Sequence, residues 1–135
     1  MKDPYFDEDL CVERLMEMYH KHKKLVICAD FDDTLFDFHK KGFTFPAVVS
    51  ILKQCQSLGF YIVIFTASAK ERHDFIMEHC KSLGIIPDKI NENAFPSPFG
   101  NHGKIFYNLL LDDRAALGEA YRILRKTLDK IRLLQ

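Results

Sequence analysis

This chain has no excess of either charge: 19 Lys and Arg balance 19 Asp and Glu over 135 residues. That argues against a general nucleic-acid or membrane-surface binder, which relies on a basic excess, although a local basic patch is still allowed. No apolar run approaches the roughly 20 residues of a membrane span, so no membrane partner is expected. The start, Met1-Lys2-Asp3-Pro4-Tyr5-Phe6-Asp7-Glu8, is acidic and lacks an apolar signal core. It predicts a chain that is not secreted, and hence a cytoplasmic one. The cysteines at 11, 28, 55 and 80 have no C-x-x-C spacing and read as free, mostly buried thiols of a reducing compartment. Low-complexity tracts and tandem repeats are absent.

Three chemistries are excluded by missing partners. Gly103-Lys104 hints at a phosphate loop, but Pro98 stands where the first Gly is needed and Ile105 where Ser or Thr is needed. No cysteine has an Arg six positions on, which a cysteine phosphatase requires. His20/His22 and His73/His79 lack an H-E-x-x-H context for zinc and read as surface histidines.

What is present is a hydrophobic chain, 47% apolar with 12 Phe. It is long enough for one domain with a real core. Ser57-Leu58-Gly59-Phe60 and Ser82-Leu83-Gly84-Ile85 each look like a helix end with Gly just past it. Helical spacings precede both, in Val48, Ile51, Leu52, Cys55, Leu58 and in Arg72, Ile76, Cys80, Leu83. The same spacing recurs at Cys11, Leu15, Met18, Tyr19 (a helix over about 8–22) and at Leu117, Tyr121, Leu124, Leu128, Ile131. Apolar runs over 25–29 and 60–65 read as buried parallel strands. A short strand is expected near 89–94 and another in the run 105–111. Strands alternating with helices predict a three-layer α/β/α, Rossmann-like parallel sheet. Right-handed crossovers would bring every strand's C-terminal end to one edge. The expected organisation is a single domain over 1–135, with residues 1–23 as an N-terminal helical extension and 24–135 as the core.

The first strand runs directly into Asp30-Phe31-Asp32-Asp33-Thr34. Three carboxylates so close together, with no Lys or Arg within five positions, are costly to bury without a cation or a bound proton. The cluster therefore reads as a site for a hard divalent ion such as Mg²⁺, at the sheet edge where open α/β folds carry their chemistry. Thr66 closes the second strand, Lys104 precedes the last, and Asp112-Asp113 follows it. Taken singly, each has a plain structural reading: a helix cap, a solvated lysine, an N-cap with first-turn charge. Together on one edge they form a constellation. Asn91-Glu92-Asn93 either faces the same cleft or caps a strand end.

These four motifs, in this order, resemble those of the haloacid dehalogenase superfamily, over about residues 24–128. The resemblance implies Mg²⁺-dependent phosphoryl transfer through an aspartyl-phosphate. Asp30 would be the nucleophile and a metal ligand. Asp32 would be the acid/base, grouped with the metal-site carboxylates, and crowding would favour the raised pKa that this role needs. Thr66 would donate to a phosphoryl oxygen, and Lys104 would offset charge. Asp112 and Asp113 would hold Mg²⁺, at least one of them directly. Asp33 stands where that superfamily commonly has Gly, and reads as a cap for the following turn ahead of a place near the metal. The candidate substrate contacts are Asp33, Thr34, Ala67, Ser68, His39 and His102.

Many members of that superfamily carry a cap domain, and neither interval here has room for one. Only residues 36–45 could form a flap, with His39, Lys40 and Lys41; the Pro- and Gly-rich segment 95–103 is a second loop. The expectation is a capless phosphatase with an open cleft, acting on a phosphorylated small molecule or a nucleic-acid end. A second subunit as lid, and so a homo-oligomer, is allowed. The rivals are a phosphoryl-signalling module of receiver type and a catalytically silent scaffold. Receiver domains place their acceptor Asp between the acidic pair and the Thr, whereas no Asp lies between residues 38 and 65.

Overall fold

The computed structural model of the chain describes residues 3–95 and 103–135. Four strands, β1 (Val26–Asp30), β2 (Tyr61–Phe65), β3 (Lys89–Ile90) and β4 (Leu109–Leu111), form one all-parallel sheet in the order β3-β2-β1-β4. The helices are α1 (Glu8–His22), α2 (Pro46–Ser57), α3 (His73–Ser82) and α4 (Leu117–Leu133), with a 3₁₀ turn over Lys70–Arg72 ahead of α3. The architecture is the Rossmann-like parallel α/β one read from the alternation of apolar periods, three layers in which the described helices pack on one face of the sheet and the connection between β3 and β4 lies on the other. Strand extents are shorter than expected at β3 and β4, because only the residues in register with β2 and β1 pair.

Local chemistry sets the helix ends. Asp7 caps α1, its carboxylate accepting from Leu10 N–H at 2.9 Å. Gly59 and Gly84 both adopt left-handed backbone (φ 77 and 84). At each, the next residue's N–H reaches back to the helix: Phe60 to the Cys55 carbonyl (3.1 Å) and Ile85 to that of Cys80 (2.9 Å). This double reversal ends the helix with its last carbonyls satisfied and turns the chain straight into the next strand region.

The two faces of the sheet are covered differently. Ile27, Ala29, Ile62, Ile64, Leu109 and Leu111 pack in one core with buried residues from all four helices. Val26, Cys28 and Val63 point the other way, against Ala94, Ile105 and Tyr107 of the connection between β3 and β4. Handedness accounts for this. The steps β1 to β2 to β3 move one way across the sheet and put α2 and α3 on one face. The return to β4 passes β1 on the opposite face. All four cysteines are free and buried. Burial pushes three of these thiols up, Cys28 and Cys55 to about 12 and Cys80 to about 11, which makes those three poor nucleophiles. No helix among the described residues is long and apolar enough to cross a membrane.

Candidate active site

Every strand ends at the same edge, and a cleft of about 740 Å³ opens there. β1 delivers Asp30, β2 delivers Phe65 and then Thr66, Asn91 follows β3, and Asp112 and Asp113 follow β4. After Asp30 the chain turns back sharply: the Phe31 carbonyl accepts from Leu35 and Phe36 N–H, and Asp33 N–H donates to the Phe36 carbonyl at 2.7 Å. The turn requires left-handed backbone at Asp33 (φ 61), a conformation that Gly adopts freely and Asp tolerates. It drops Thr34 to full burial directly beneath the acids.

Carboxylate oxygens of Asp30, Asp112 and Asp113 lie within 4.8 Å of one another. Burial pushes the Asp30 carboxyl up to about 7, reinforced by a hydrogen bond shared with Asp113 and by the charges of Asp112 and Asp113. Thr34 ties the group together. Its hydroxyl accepts from Asp113 N–H at 3.1 Å and lies within reach of Asp30 Oδ2 (3.4 Å) and Asp113 Oδ1 (3.3 Å). Asp112 Oδ1 accepts from Arg114 N–H at 2.9 Å, fixing the turn that precedes α4. The donor set is all oxygen and acidic, which fits a hard divalent cation.

Asp32 stands apart from this triad, contrary to the expectation that it joins the metal-site carboxylates. Both of its oxygens are taken by Arg72, from Nη1 at 2.7 Å and Nη2 at 2.8 Å. That guanidinium lies within 5.4–5.7 Å of the ring centres of Phe31, Phe36, Phe38 and Phe75, and its Nη1 also donates to Ser68 Oγ at 2.7 Å. The hydrogen bonds to Asp32 hold Arg72 above its usual range. His79, read as a surface histidine, is half-buried and packs on the same rings.

Several expected substrate contacts move. Thr34 is 0% exposed and cannot touch a ligand in the cleft. Ser68 does not line the cleft; it accepts from Arg72 and its N–H donates to Thr66 Oγ1 at 3.0 Å. Thr66, Ala67, Asp33 and His39 do line it. Asp33 Oδ2 pairs with His39 Nδ1 at 2.7 Å rather than capping a turn. Asn91 faces the cleft and also clamps the strand end, exchanging two hydrogen bonds with the Thr66 backbone (2.9 and 2.8 Å). Lys104 is exposed and does not line the cleft, although Gly103 and Ile105 on either side of it do. Among the described residues, Arg114 is the Lys or Arg on the lining, a residue the sequence does not single out although it directly follows the acidic pair. Arg72 has no polar role in the sequence either, where it figures only in the helical spacing Arg72, Ile76, Cys80, Leu83; it closes the 3₁₀ turn ahead of α3. His102 lies outside the described residues.

No family model matches the chain, and no curated protein matches it by sequence. A solved structure with a similar fold is that of a conserved protein from Bacteroides thetaiotaomicron, with a TM-score of 0.62 and 23% identity over 76% of this chain and 91% of that one. At that identity the likeness shows the fold alone.

Proposed function

We propose that this chain is a Mg²⁺-dependent phosphomonoester hydrolase of haloacid dehalogenase type, working through an aspartyl-phosphate at Asp30. The observation that carries this reading is the Asp30–Asp112–Asp113 cluster on the floor of an open cleft, with Asp30 pushed up to about 7 by burial and by its acidic neighbours. Such a cluster strongly favours a cation or a proton.

Asp30, Asp112 and Asp113 would hold the ion, which when bound would offset the charge of the carboxylates and of the phosphoryl oxygens. Ionised Asp30 attacks phosphorus; its new O–P bond forms as the ester P–O bond breaks. The departing oxygen takes a proton. Water then attacks the acyl-phosphate at phosphorus, loses a proton, and releases phosphate with Asp30 restored. Asp32 is the neighbouring carboxyl for both proton transfers, and it can act only once its two-point bond to Arg72 opens. Thr66 donates to a phosphoryl oxygen, and Arg114 supplies the cation expected of Lys104.

The test is phosphate release from acetyl phosphate and an aryl phosphate with Mg²⁺. The wild type turns over, Asp30→Asn loses at least about a thousandfold, and chelator stops the reaction reversibly. An active Asp30→Asn variant, or rates unchanged by chelator, overturns the reading. The Asp32–Arg72 pair favours a second reading, a silent scaffold; a well-folded chain inert towards every phosphomonoester selects it.

A further inference from the structure

The wall of the cleft above the acids is apolar and aromatic. Phe38, Phe65, Ala67 and Ile105 line it. Phe65 is braced edge-on by Tyr107, with ring centres 6.1 Å apart. Phe38 is 53% exposed, as single surface phenyl rings often are. It is nevertheless held in place at the rim, with Arg72 5.7 Å from its centre and His39 edge-on at 5.2 Å. Its neighbour Phe36 instead stacks on the buried Phe31 (7° between planes). The flap thus keeps one ring inside and presents the next to the cleft.

Three of the polar side chains that line the cleft are already engaged. Both amide atoms of Asn91 bond the Thr66 backbone, Asp33 holds His39, and Asp32 is taken by Arg72. A polyhydroxylated leaving group needs unpaired partners for its hydroxyls, because burying them unbonded is unfavourable. A planar apolar ring needs only faces and edges to pack on.

Resting on the phosphatase reading, we infer that the substrate is a phosphomonoester whose leaving group carries a planar aromatic ring, packed against Phe38 and Phe65. The recognition is a binding property and is measurable without turnover. Calorimetry on the Mg²⁺-equilibrated chain compares phenylphosphonate with methylphosphonate, which share a phosphoryl head and differ by the ring. Phenylphosphonate binds about tenfold more tightly, and in Phe38→Ala the ratio falls towards one. Phe38→Tyr, which keeps the ring, retains the preference. Adenosine 5′-thiophosphate, with its ring one ribose away, separates a nucleoside source from an aryl one. A preference for it over methylphosphonate that is lost in Phe38→Ala also supports the proposal. Equal affinities, a preference that survives in Phe38→Ala, or no binding at all overturns it. Failure of the phosphatase reading registers separately, as absence of phosphate release whatever the phosphonates do.

Discussion

The buried hydroxyl of Thr34 accepts a hydrogen bond from the backbone N–H of Asp113 at 3.1 Å, joining the turn after β1 to the turn after β4. Both turns carry carboxylates of the acidic triad, so this bond sets the spacing of the cluster. Thr34→Val keeps the shape and removes the acceptor. The stranded N–H costs about 1–3 kcal/mol, and a loosened supporting contact lowers metal affinity about tenfold. Thr34→Ser preserves both. Thermal melts and Mg²⁺ titration of the two variants check this, and equal behaviour of Val and Ser would refute it.

Arg114 and Lys104 separate by position. Both are exposed, but Arg114 lines the cleft beside the acidic pair and Lys104 does not. Removing a cation that faces developing negative charge costs about 10²–10³ in rate, so Arg114→Ala falls by that order on any phosphomonoester. Lys104→Ala stays within a few fold. Steady-state kinetics on both variants decide, and the reverse ranking would return the role to Lys104.

That pair also marks how far the sequence could be read. Asp30 and Asp112-Asp113 were legible because each follows an apolar strand, and parallel strands bring their ends together by topology alone. The helix ends at Gly59 and Gly84 were legible because only Gly sits easily at φ near +80°. Lys104 was placed by motif order, but it lies on a connection whose path no periodicity specifies. Arg72 is 40 positions from Asp32; nothing local in the chain ties a 3₁₀-turn arginine to a carboxylate beyond the end of another strand. The uneven covering of the sheet follows from strand order, which alternation of helices and strands leaves open.

Arg72 holds Asp32 with two hydrogen bonds and touches four phenyl rings. The two residues should therefore be unequal partners. Arg72→Ala destabilises more than Asp32→Ala, by about 1 kcal/mol, because it also loses the ring contacts. The double mutant shows a coupling of about 1–3 kcal/mol, as expected for groups in direct contact. Arg72→Lys keeps the charge but not the fork, and recovers less than half of the loss. Denaturant unfolding of the four variants measures each term, and a coupling near zero would show the pair to be incidental.

The last prediction follows from the Asp30 carboxyl, which sits at about 7 in the folded chain against an ordinary 3.8. Burial holds its proton on, and Asp113 and Asp112 add to the effect. An acid whose pKa is raised by folding stabilises the native state below its unfolded value, and that contribution is lost as pH climbs to the folded one. Metal-free protein should therefore lose stability between about pH 4 and pH 7. The full shift sets a ceiling of about 4 kcal/mol. A half-buried group sharing its proton delivers less, about 1–2 kcal/mol after screening. Asp30→Asn removes the titrating group, so its melting temperature is flatter across this window and exceeds the wild type's above it. Mg²⁺ acts in the opposite sense, since ligands must be deprotonated to bind it and binding to the folded state alone stabilises that state. Its stabilising effect should be small near pH 5 and largest above pH 7. Melting curves with and without Mg²⁺ across that range test both arms, and a metal-free wild type as stable at pH 8 as at pH 5, relative to Asp30→Asn, would remove Asp30 from the acidic cluster's energetics.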